Sequence, residues 1–136
     1  MPPQANVVLV DDDAAFLTAT SLMLRDAGYN VITAEDGRSG LAAVREHKPD
    51  VVVIDVVMNR PDEGFALARA IRGDADLAGV KMLVLTAVGE RYKMLFEPDD
   101  LWLPVDKVLE KPITGDELAA EISAVLTGSG DGEDRA

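Results

Sequence analysis

Three short runs, "VVLV" (residues 7–10), "VVVI" (51–54) and "MLVL" (82–85), are apolar at every position rather than at every second one. A strand with one wet face alternates, so an unbroken run indicates a strand buried on both faces, as in a parallel sheet covered by helices. The segments between the runs carry helical spacing. Phe16, Ala19 and Met23 recur over 14–27 before Gly28, and Leu41 and Val44 share one side of "DGRSGLAAVREHK". Leu67, Ala68 and Ile71 follow a Pro- and Gly-bearing loop, and Leu118, Ile122 and Val125 mark the last helix. "NVITA" (30–34) and "DKVL" (106–109) bring the strands to five. The segment 87–105 is irregular: Pro98 and Pro104 restrict it to a short helix from Glu90 to about Phe96.

Alternating strands and helices with right-handed crossovers predict an α/β, doubly wound, five-stranded parallel sheet. The expected order is 2-1-3-4-5, flavodoxin-like, with an irregular fourth helix region and a ligand crevice where strands 1 and 3 diverge. The expected boundaries are a tail over 1–5, one domain over 6–127 and a polar, acidic tail over 128–136, "GSGDGEDRA", whose composition predicts disorder. At 136 residues the chain can bury roughly two-thirds of its unfolded surface in one core. The absence of cysteine excludes disulfides, thiolate zinc sites and cysteine nucleophiles. No run of about 18 apolar residues exists to span a membrane, and "MPPQAN" leads directly into a strand without the pattern of a secretory signal. A cytoplasmic location is expected. The formal charge of −12 disfavours direct binding to nucleic acid or to an anionic membrane surface. The single histidine, His47, reads as an exposed residue near a helix end.

One residue breaks the third strand's apolar pattern. Asp55 follows Val51–Ile54 directly, and an ionised carboxylate is almost never buried without compensation. It must reach the strand's end, or meet a cation. The first strand ends in Asp11, Asp12 and Asp13. Asp13 suits a helix N-cap, which leaves Asp11 and Asp12 beside Asp55 in the expected strand order. Carboxylates so crowded need raised pKa values or a cation, and hard oxygen ligands suit Mg²⁺. The fourth strand ends at Thr86 and the fifth is followed by Lys111 and Pro112. An oxygen-ligated metal, a spare carboxylate, a hydroxyl and a lysine make a phosphoryl-transfer site with Asp55 as nucleophile.

The motifs "VLVDDD", "PDVVVIDVVM", "VLTA" and "LEKPIT" resemble, in order and at nearly the family's spacing, the receiver domain of two-component response regulators. The resemblance extends over residues 6–127 and, with no output domain following, is to the stand-alone, chemotaxis-regulator-like type. It implies that Asp55 accepts the phosphoryl group from a histidine kinase, with Asp12 a direct Mg²⁺ ligand and Asp11 a ligand through water. It further implies a metal contact from the Val57 carbonyl, phosphoryl contacts from Thr86 and Lys111, and a cis Lys111–Pro112 peptide. Such a protein is a phosphoacceptor that assists its own phosphorylation and dephosphorylation rather than an enzyme. It would act through an unknown downstream protein or phosphotransfer partner, as a monomer or weak homodimer.

Three features depart from the family pattern. Gly64 lies one residue further past Asp55 than usual, Thr86 and Lys111 are a few residues further apart, and Val108 stands where the switch aromatic is usual. The 87–109 face, with Tyr92, Phe96 and Trp102, is the expected partner surface or a local lid. Two alternatives remain at this stage. One is a phosphatase of haloacid-dehalogenase type, which wants its nucleophile in a D-x-D on the first strand. The other is a non-phosphorylated interaction domain. A nucleotide site is disfavoured because no Gly-rich loop follows the first strand.

Overall fold

The computed structural model describes residues 5–55, 61–86 and 105–127. Five strands, β1 (Asn6–Val10), β2 (Asn30–Ala34), β3 (Val51–Asp55), β4 (Lys81–Thr86) and β5 (Lys107–Glu110), form one sheet. All pair in parallel, in the order β2-β1-β3-β4-β5, as expected from the unbroken apolar runs. Among the described residues there are four α-helices: α1 (Ala14–Asp26), α2 (Gly37–His47) and α3 (Pro61–Arg72) connect successive strands, and α4 (Gly115–Thr127) follows β5.

Strand periodicity sorts the core into two layers. Val8, Val10, Val52, Ile54, Met82 and Val84 point to one face, where Val44 of α2 and Leu67, Ala68 and Ile71 of α3 cover them. Val7, Leu9, Val51, Val53, Leu83 and Leu85 point to the other, under Leu17 and Leu24 of α1 and Leu118, Ile122 and Val125 of α4. Each of these large apolar side chains stabilises the fold by about 1.5–3 kcal/mol when fully buried. The three central strands are buried along nearly their whole length, so they meet solvent mainly at their ends. That is where charged chemistry can be placed.

Two expectations need correction. The buried face of α1 consists of Leu17, Thr20, Ser21 and Leu24, whereas Ala19 and Met23 are exposed and Phe16 is half-buried. Ser21 can face inward because its hydroxyl donates to the Thr18 carbonyl at 3.1 Å and leaves no unmet polar group. Helix α3 already begins at Pro61, so Gly64 is a helical residue rather than part of a loop. A proline is tolerated in the first turn, where its missing N–H has no helical partner. The irregular fourth helix region (87–104) and the acidic tail (128–136) lie outside the described residues.

Candidate functional site

The carboxyl ends of β1, β3, β4 and β5 bring the candidate residues to one edge. Asp11 directly follows β1, and its N–H bonds the Ala34 carbonyl of β2 at 3.0 Å. Asp55 is the last residue of β3 and Thr86 the last of β4. Lys111 follows β5, where its N–H donates to the Thr86 carbonyl at 2.7 Å, and the Lys111–Pro112 peptide is cis. Asp11 and Asp55 are only 0% and 2% exposed, so their carboxylates require the compensation demanded by the sequence. Lys111 supplies it: Nζ donates to Asp11 Oδ2 at 2.9 Å and to Asp55 Oδ2 at 3.2 Å. Asp55 therefore both ends its strand and meets a cation.

The three aspartates after β1 divide their work. Asp13 caps α1, accepting the Phe16 N–H at 3.1 Å, and its own N–H donates to Asp11 Oδ1 at 2.9 Å. Asp12 is exposed at the mouth of the site. One carboxylate oxygen from each of Asp11, Asp12 and Asp55 lies within 4.8 Å of the others. Burial is the main reason the Asp11 pKa is pushed up to about 6, and the neighbouring Asp55 adds to it; the Asp13 N–H and Lys111 pull the other way. Burial alone would lower the Lys111 pKa, but its hydrogen bond to Asp11 and the Asp55 charge outweigh that and raise it, so the side chain stays an ammonium. Three clustered carboxylates facing one lysine fit a hard divalent cation, which takes oxygen ligands and adds the positive charge the cluster lacks. Val57, the fourth expected metal contact, lies outside the described residues. Val108 is half-buried in β5, in register with Val84.

Two contributors were not evident from the sequence. The half-buried Phe16 presents its ring to Lys111, with Nζ 4.3 Å from the ring centroid. Its place one turn past Asp12 was a usable signal, but only the fold brings Lys111 over it. Glu63 of α3 reaches α2, where Oε2 accepts the Gly37 N–H at 2.6 Å. This anchors the start of α3, the element that follows Asp55, on the first turn of α2.

The response regulator receiver domain model matches residues 7–123. Protein PilH of Pseudomonas aeruginosa is 32% identical over 127 residues, covering 91% of this chain and 99% of that protein. The transcriptional regulatory protein AfsQ1 of Streptomyces coelicolor is 36% identical over 121 residues, covering 89% of this chain but 51% of its own length. The chain spans about half the length of several such curated relatives. Among solved structures, a putative response regulator from Chloroflexus aurantiacus superposes with a TM-score of 0.79 at 27% identity, covering 93% of this chain and 99% of that one. The chemotaxis response regulator CheY4 of Vibrio cholerae gives 0.76 at 29% identity, with 90% and 98% covered. With the five-stranded order, the carboxylate cluster and the lysine on one edge, these matches show that the chain belongs to the receiver-domain family of two-component response regulators.

Proposed function

We infer that Asp55 is the phosphoacceptor, charged by a histidine kinase in a reaction that depends on Mg²⁺. An Asp55 carboxylate oxygen attacks phosphorus as the bond from phosphorus to the donor's imidazole nitrogen breaks, leaving an acyl phosphate and a free histidine. Lys111 neutralises an oxygen of the transferred group, and the Thr86 hydroxyl donates a hydrogen bond to another. Asp11, Asp12, Asp55 and the Val57 carbonyl would hold the metal, which supplies further positive charge against the phosphoryl oxygens. In this reading the protein accelerates its own phosphorylation and dephosphorylation and turns over no separate substrate. The remaining assignments are a domain over 6–127, a cytoplasmic location, a monomeric or weakly dimeric state, and signal output to a protein or phosphotransfer partner through the 87–109 face. Receiver-family membership lends no support to the phosphatase or to the non-phosphorylated alternative.

The observation that carries the reading is Lys111 Nζ bridging two buried carboxylates from separate strand ends. Incubation with a small acyl phosphate and Mg²⁺ should raise the intact mass by one phosphoryl group, and Asp55→Asn should abolish the gain. Equal labelling of the Asn variant would sink the assignment.

A further inference from the structure

Both hydrogen-bond partners of the Lys111 ammonium are carboxylates that the proposed reaction engages. Asp55 gives up electron density as it attacks, and Asp11 belongs to the metal cluster. The two hydrogen bonds therefore weaken in the step at which the cation is needed by the transferred group. Until a phosphoryl oxygen takes their place, the flexible lysine stem depends on other contacts to stay at the site.

Phe16 supplies a restraint that the chemistry does not consume. Its ring lies beneath Nζ at 4.3 Å, inside the roughly 6 Å range over which an aromatic face attracts a cation. The ring is itself fixed. Its backbone N–H is held by the Asp13 cap, and its side chain joins Ile113 against the core layer beneath α1 and α4. Helix α1 thus presents a π face to the ammonium, while β1 and β3 present carboxylates.

We propose that Phe16 is a positioning residue for Lys111, keeping its ammonium at the mouth of the site while the carboxylates turn to the metal and the phosphoryl group. The proposal rests on the assignment of Lys111 as the cation that meets the transferred group. A packing role alone requires only that the ring fill space beside the lysine stem. The positioning role requires electron density on the ring face, and the two separate cleanly.

The experiment is a fluorination series in the full chain, with Phe16 replaced by mono-, di- and pentafluorophenylalanine. Fluorine drains the ring face with little change in volume. The rate of Asp55 phosphorylation by acetyl phosphate at saturating Mg²⁺ should fall stepwise with fluorine number, by about fivefold at the end of the series. Mg²⁺ affinity, measured by calorimetry, should change little, because Phe16 offers the metal no ligand. A flat series overturns the proposal, as does a loss confined to Phe16→Leu, since either outcome means the ring only packs. If the unsubstituted protein takes no phosphoryl group, the reading beneath the proposal fails and the proposal with it; labelled wild type with a flat series removes the proposal alone.

Discussion

Asp11 has a hydrogen-bond partner on each oxygen and still holds its proton up to about pH 6, because burial and the adjacent Asp55 penalise its charge. The folded-state value lies above the ordinary 3.8, so this group favours folding most at pH below 3.8. That contribution is lost as pH rises through about 6. Thermal melts of wild type and Asp11→Asn, compared from pH 4 to 7, should show wild type losing ground to the variant as pH rises; the opposite trend would contradict the assignment. Mg²⁺ should reverse the sign of the problem by favouring the ionised carboxylate. Metal affinity should accordingly drop on the order of tenfold between pH 7 and pH 5 as protons compete for Asp11. A pH-independent affinity, measured by calorimetry, would remove Asp11 from the metal cluster.

At the scale of elements, helices α1 and α4 approach each other closely at Gly115. A Cβ added to Gly115, the first residue of α4, would collide with Met23 Cβ and sit 2.6 Å from its Cγ. Gly115→Ala should therefore push the two helices apart and cost about 1–3 kcal/mol in urea denaturation. Met23→Ala should not rescue it, because the nearest clash is with a Cβ that alanine retains. This contact, like the inward face of α1, was not legible in the sequence. Met23 has the spacing and hydrophobicity of a core residue, whereas Thr20 and Ser21 do not. Yet small side chains fit under the helix, and Ser21 satisfies its hydroxyl locally. The start of α3 was obscured for a related reason, since Pro61 and Gly64 read as loop residues out of context although a first turn accommodates a proline. Helix α4, whose buried residues Leu118, Ile122 and Val125 are all apolar, was read correctly.

For the whole molecule, the sheet was the most legible part, because burial on both faces leaves unbroken apolar strands and few alternatives for their arrangement. The site was nearly as legible: an aspartate closing an apolar run cannot be neutral background, and strand order alone places it beside Asp11. What the sequence withheld was the pairing itself, with Lys111 rather than solvent answering both carboxylates. That clamp ties the end of β5 to those of β1 and β3. Lys111→Met should destabilise the metal-free protein at neutral pH by about 2–3 kcal/mol in urea denaturation, less than for a fully enclosed pair because the lysine is 24% exposed. Saturating Mg²⁺ should recover part of that loss, and an unchanged or more stable variant would show that the clamp contributes nothing. Asp11 and Lys111 are also separated by 100 positions of chain, so they come from nearly opposite ends of the domain. During synthesis the acidic residues leave the ribosome long before their cation does. On the proposed assignment of Asp55 and Lys111, a nascent chain carries the acceptor without its cation, and competence to receive a signal arrives only when the last strand docks. The protein cannot report on its environment until it has finished folding.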